Sequence, residues 1–414
     1  MRRLLPILLV VLLALAACTS TPADQPQPAL APHAHSLESY DALLRAIGPA
    51  QLVLLGEATH GTHEFYAERA RITQQLITEK RFSALALEAQ WADAARVDRY
   101  VRGTSTDRSA EEALGGFEDF PRWMWRNREF AELVEWIRTH NASLPADAVK
   151  VGVYGLDLYH HEESRPAIQT HLQAVDPAFA AQVRAMNVKQ QVDAIQARRE
   201  KATDKRMLDE LFSAEQNARV VRNAEEYERE GRRGVISTWN LRDRHMVETM
   251  AALQKYLYQR NGRDHIVVWA HNSHVGDARA TGRARYGEWN LGQLTREHWQ
   301  PRASFTVGFT THHGTVMAAS EWGGEPRVQQ LLESMRGSHG AVFHETGIPS
   351  FYLILSEVEA RVVRTPRQQR AVGVLYLPHQ EATAHYFTAN LREQFDAVIH
   401  IDETRAVRAL DEVR

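Results

Sequence analysis

Short apolar runs that stop at an ionisable residue recur along this chain, separated by stretches with helical spacing. The first is Gln51-Leu52-Val53-Leu54-Leu55, which ends at Gly56 and is followed at once by Glu57-Ala58-Thr59-His60-Gly61. A continuous apolar run of this length, bounded by a turn signal, reads as a buried strand. The spacing Leu37-Tyr40-Leu43-Leu44-Ile47, closed by Gly48-Pro49, predicts a helix ahead of it. Behind it, Phe65, Ile72, Leu76 and Ile77 share one helical face and lead into a second apolar run at 82–87, closed by Glu88. Strand, helix and strand make a βαβ unit. A third run, at 149–155, ends just before Asp157.

From about residue 162 to 260 the strand-like runs vanish. Leu172, Val175, Phe179, Val183 and Met186 fall at helical intervals among many charges, which predicts a helical insert whose last helix starts at a Ser237-Thr238 cap. Strand-like runs then resume at 265–270 before His271, 304–309 before His312 and His313, 352–355 before Glu357, 371–377 before His379, and 397–401. The pattern predicts an α/β fold: a mostly parallel central sheet flanked by helices, with an inserted helical subdomain. Its parts are 37–160 and 261–414 for the α/β domain and 161–260 for the insert.

Composition changes this picture little. A hydrophobic content of 44% suits a globular chain with a sizeable core, and a net charge of -3 leaves no basic footprint for nucleic acid. The first residues add an address. Arg2 and Arg3 precede an apolar run from Leu4 to Leu15 that is too short to span a bilayer and reads as a signal peptide over 1–17. Its end, Leu15-Ala16-Ala17-Cys18, resembles a bacterial lipobox, in which Cys18 carries the lipid. The Pro-, Ala- and Gln-rich stretch that follows reads as a tether over 18–36. Cys18 is the only cysteine, so no disulfide forms within the chain. The expectation is a lipid-anchored protein of the bacterial cell envelope, at the outer membrane facing the periplasm because Thr19 rather than Asp follows the Cys, and touching the membrane only through its anchor.

With parallel strands, Glu57, Glu88, Asp157 and His271 converge on one edge of the sheet, with His312 and His379 as weaker members. Carboxylates and imidazoles without a Gly-x-Ser-x-Gly elbow fit general-base activation of water better than a covalent nucleophile. His60 beside Glu57 is an imidazole whose tautomer and basicity a carboxylate can set. His271 and His274 have the spacing of two metal ligands or of two donors on one loop, so Glu57, His60, Glu88, His271 and His274 also suit a divalent metal. Arg69, in the helix after Glu64, reads from spacing alone as an exposed salt-bridging residue. Trp125 and Arg126 lie in a loop-rich stretch that would overhang the cleft, and with Asp157 are candidates for binding substrate.

Several separate motifs, in order, resemble the erythromycin esterase family. They are Leu55-Gly56-Glu57-Ala58-Thr59-His60-Gly61, Leu87-Glu88, Trp123-Met124-Trp125-Arg126, Asn240-Leu241-Arg242-Asp243 with Met246, Ala270-His271-Asn272-Ser273-His274, Asn290-Leu291-Gly292 and Phe395-Asp396-Ala397-Val398-Ile399. The resemblance implies a cleft between sheet and helical subdomain and a small-molecule ester or lactone as substrate; it leaves the divalent metal open, and no other cofactor is expected. It makes His60 the general base, with Glu57, Glu88, His271 and His274 orienting it, binding water or polarising the carbonyl, and it adds Arg69 to them. Two rivals remain at this stage: a metal-dependent hydrolase or peptidase built on the His/Glu set, and a non-enzymatic envelope lipoprotein binding haem or another ligand through its histidines.

Overall fold

The computed structural model describes residues 30–159 and 161–411, so the predicted signal peptide, Cys18 and the start of the tether lie outside the described residues. In chain order the strands are β1 (Leu52–Leu55), β2 (Ala84–Gln90), β3 (Gly152–Asp157), β4 (Ile266–Trp269), β5 (Ser304–Ala318), β6 (Arg327–Leu331), β7 (Ser350–Ile354), β8 (Arg367–Arg370), β9 (Tyr386–Ala389) and β10 (Ala397–Thr404). Every residue of β1 is buried. Val53 and Leu55 pack into the core on one face of the sheet, and Leu52 and Leu54 into the core on the other. That two-sided burial is why the run is apolar without alternation.

One sheet of eight strands holds the order β3-β2-β4-β1-β5-β10-β7, with β6 on β5; β8 and β9 form a separate pair. The pairings from β3 across to β10 are parallel, whereas β7 runs antiparallel to β10 and β6 antiparallel to β5. Leu55 aligns with both Trp269 and Val307, and Leu87 aligns with Trp269. The carboxyl ends of β2, β4 and β1 therefore finish level. Helix His63–Lys80 carries the chain from β1 over β4 to β2, while later connections go the other way, so the crevice opens at the switch in strand order where α/β sheets bind ligands.

The insert consists of helices Ser164–Val175, Pro177–Arg184, Val188–Arg199, Lys205–Glu230 and Val235–Asn261. Its last helix starts earlier than the predicted Ser237-Thr238 cap. Gly234, at φ +124°, turns the chain into it, and Thr238 Oγ1 bonds back to the Val235 carbonyl within the first turn.

Three other expectations are corrected. β5 continues well past 309, so His312 and His313 sit within the strand, and the His312 ring stacks on His344 away from the β1 end. Residues 371–377 are not a strand of the sheet; His379, just after them, is exposed. That segment instead zips onto the turn after β1: Val372 N–H donates to the Ala58 carbonyl at 2.9 Å and His60 N–H to the Val372 carbonyl at 3.2 Å. Finally, packing begins before residue 37, since Leu30 is buried and His35 pairs with Tyr352 of β7.

Gly61 closes the turn because nothing larger fits. Its carbonyl accepts from Met317 and Val407, and a Cβ there would lie 2.0 Å from the Met317 carbonyl oxygen. Gly61→Ala is expected to destabilise the protein by about 1–3 kcal/mol, the usual range for overpacking a tight site. Urea denaturation checks this, and an unchanged midpoint would show that the turn yields freely.

Candidate active site

Helix His63–Lys80 starts just beyond the turn and turns Arg69 inward. The Arg69 guanidinium is wholly buried between the faces of Trp269 and Tyr66, 4.4 and 4.5 Å from the ring centres. Its Nη2 donates to Glu57 Oε2 at 2.6 Å, and Glu57 Oε1 bonds His60 Nδ1 at 2.7 Å. Glu57 is itself fully buried, so both of its oxygens are spoken for. The spacing-based reading of Arg69 as an exposed residue is therefore wrong: it backs the Glu57–His60 pair. His60 Nε2 makes no hydrogen bond among the described residues, and His60 lines a cavity.

At the ends of β2 and β4 a second cluster forms around a residue of the insert. Arg242, on helix Val235–Asn261, grips Asp157 through Nε (3.1 Å to both oxygens) and Nη2 (2.6 Å), and its Nη2 also reaches Glu88 Oε1 at 2.8 Å. Glu88 Oε1 lies 3.2 Å from His274 Nε2, and Glu88 Oε2 accepts the His271 backbone N–H at 2.8 Å. His274 Nδ1 meets Asp243 at 2.9 Å, and its ring stacks on Trp239 at 4.3 Å. Asp157 thus holds the insert to the sheet; its carboxylate is committed to Arg242.

His271 is different, for its Nδ1 accepts the Ser273 backbone N–H at 3.2 Å and meets Ser273 Oγ at 2.8 Å. An accepting Nδ1 puts the proton of a neutral ring on Nε2, and that atom is buried without a partner. Its ring centre lies 4.9 Å from that of His60.

Both histidines border a cavity of about 400 Å³. Glu88, Asp157, Arg242 and His274 also reach it, and its walls include Trp125, Phe117, Tyr159, Tyr227 and Trp239. Trp125 is therefore where its loop was expected to place it. Arg126 is not: it turns away to pair with Asp411 at 2.6 and 2.9 Å. Arg242, Asp243 and Trp239 were missed as site residues. A signal existed, since an Arg-Asp pair among the apolar positions of a helix needs a buried partner. No group of three or more His, Cys, Asp or Glu among the described residues is arranged to hold a metal ion. The oxygens of Glu57 and Glu88 are engaged by protein donors, while His60, Glu88, His271 and His274 line one cavity.

A family model described as erythromycin esterase matches residues 77–404. The chain belongs to the erythromycin esterase family. Membership points to a hydrolase. Among solved structures, a Bacillus cereus protein is similar at 21% identity, over 92% of this chain and 98% of that one, with a TM-score of 0.74. A succinoglycan biosynthesis protein is similar at 20% identity, over 92% and 97%, with a TM-score of 0.73. A mutant of the erythromycin esterase EreC, in its open conformation, is similar at 14% identity, over 91% and 96%, with a TM-score of 0.60. At these identities the likenesses establish the mostly parallel α/β fold of this family member.

The charges of this esterase-family site are set by burial and by neighbours. Burial, with a second imidazole, His60, beside it, pushes His271 well below the usual imidazole range, so it is neutral. For His274 burial acts in the same direction, as does Arg242, whose Nη1 lies 3.0 Å from Nε2, but Asp243 and Glu88 outweigh them and raise the group to about 9, which favours the imidazolium at neutral pH. Burial alone would lift Glu88, yet His274 and Arg242 hold it well below the usual carboxylate range. A histidine raised in the folded state contributes stability in full below its ordinary value near 6.5 and loses it as pH rises through the folded value. The melting temperature is therefore expected to fall between pH 7 and about 9.5, and His274→Gln to flatten that slope while lowering stability at pH 7. Scanning calorimetry across the range checks it; equal slopes would overturn the assignment. Arg242→Gln, which strands two buried carboxylates, is expected to cost about 3–5 kcal/mol in the same assay.

Proposed function

We infer that this protein hydrolyses a carboxylic ester or lactone by direct attack of water, without a covalent intermediate. The observation that carries the reading is the pairing of two unlike imidazoles at the cavity floor. Glu57 holds His60 Nδ1–H, which leaves Nε2 with a lone pair for a proton from water. The neutral His271 offers an unpartnered Nε2–H to the carbonyl oxygen.

In the proposed reaction, His60 removes a proton from water as its oxygen attacks the carbonyl carbon. The oxyanion that forms takes the His271 hydrogen bond, with the His274 imidazolium nearby. Collapse breaks the bond to the alcohol oxygen, which leaves with the proton held on His60. The products are a carboxylic acid and an alcohol, or one hydroxy acid from a lactone. Arg69 acts through Glu57: it holds that carboxylate in place, and the carboxylate holds His60 by Nδ1 through the transition state. No cofactor enters this scheme.

On this reading His60→Ala lowers kcat/KM by about 10²–10⁴, the usual worth of a general base. Glu57→Gln costs less, and Ser273→Ala, which removes the one hydroxyl bonded to His271, leaves turnover within about tenfold. The assay is ester and lactone turnover followed by mass spectrometry. Full turnover by His60→Ala, or its loss in Ser273→Ala, would overturn the direct-water route, and loss of turnover to a chelator would favour the metal-dependent one. The lipid anchor is a separate part of the proposal: Cys18→Ser is expected to move the protein from the membrane to the soluble fraction.

A further inference from the structure

The cavity changes character from floor to mouth. At the floor His60 and His271 are buried and polar; the middle is walled by Trp125, Trp239, Tyr159 and Tyr227. At the mouth stand Val235, 81% exposed, and Trp322, 71% exposed, both lining the same cavity, with Trp322 set edge-on to Phe120 at 5.1 Å. Ile236 follows Val235 and is exposed too. Scattered apolar residues on a surface need no explanation, but large ones gathered at the rim of a reactive cavity do.

Size sharpens the point. A cavity of about 400 Å³ lies toward the small end of the range of about 300–1,000 Å³ usual for small-molecule sites. An ester group with a ring and a short chain fills it. A ligand with a longer apolar part runs out of the mouth and lies on Val235 and Trp322, which removes from water the surface that the free protein leaves exposed.

We propose that the substrate is an amphiphilic ester whose apolar portion is longer than the cavity is deep, with Val235 and Trp322 as the residues that select for its length. The assignment rests on the hydrolase reading above for its chemistry, but its length selection is a matter of binding. A polar or short-chain ester would leave the rim bare and gain nothing from it.

The test uses a series of p-nitrophenyl esters, from acetate through butyrate and octanoate to laurate, each below its micelle concentration. The kcat/KM of the full chain is expected to climb along the series by up to about fourfold per methylene, and to keep climbing past butyrate. In Val235→Asp and Trp322→Ala the ratio of laurate to acetate is expected to fall at least tenfold. That ratio does not depend on how much of a sample is folded, because both esters are read on the same preparation. A flat series, or a ratio unmoved by both substitutions, overturns the proposal. Calorimetric binding of octanoate and acetate esters to His60→Ala separates the two readings. Length-dependent binding with no turnover of any ester by the unsubstituted chain sinks the hydrolase reading and keeps the rim, whereas length-independent binding sinks the rim whatever turns over.

Discussion

A carboxylate with no access to water holds this site together. Glu57 is buried completely, and an ionised carboxylate in such a place persists only with partners for both oxygens. Arg69 takes one and His60 the other. Arg69 in turn needs company for its own burial, which the faces of Trp269 and Tyr66 supply. The strand residue Trp269, the helix residues Tyr66 and Arg69, and the turn residues Glu57 and His60 are thus one interlocked unit. Removing any charged member leaves another buried without its counter-charge, a loss far larger than that of a surface pair.

The helical insert is tied to the sheet by the same kind of bond. Arg242 reaches two strand ends at once, through Asp157 and Glu88, while Asp243, next along the helix, fixes His274. Two neighbouring residues of one helix therefore determine the seat of the insert and the protonation of an imidazole at the cavity wall. The floor of the cavity comes from the sheet, and part of its wall from the insert. Beneath these ion pairs the two parts share an apolar core, in which Met246, Met250 and Leu253 of the insert pack with Leu52 and Leu54 of β1.

How much of this was legible beforehand follows from what sequence pattern encodes. Apolar runs report burial on both faces, so β1, β2, β3, β4 and β10 were readable to within a few residues, and the ionisable residues after them were placed on the correct edge. The run at 371–377 is equally apolar, but its backbone bonds go to a turn rather than a strand, and composition does not say which. The continuation of β5 through His312 was hidden because the polar residues Thr310, Thr311 and His312 look like an end, although all three are buried. Arg69 was misread for the opposite reason: helical spacing gives the face of a residue only when the rest of that face is known. Arg126 failed because its partner Asp411 is remote in sequence, and remote pairs leave no local trace.

The zip between Val372 and the turn after β1 bears on how the protein folds. β1 belongs to the opening part of the chain, yet its two strand neighbours, β4 and β5, and the segment that hydrogen-bonds His60 all come from beyond the insert. Contacts so far apart in sequence carry a large loop-closure entropy and slow the folding of the domain that needs them. The βαβ unit and the insert can gain structure from local contacts, but the backbone of the turn after β1 meets Met317, Val372 and Val407 only when nearly the whole chain is present. Truncation at any point before residue 372 would therefore strip the turn that carries His60 of the backbone partner that comes from the far end of the chain.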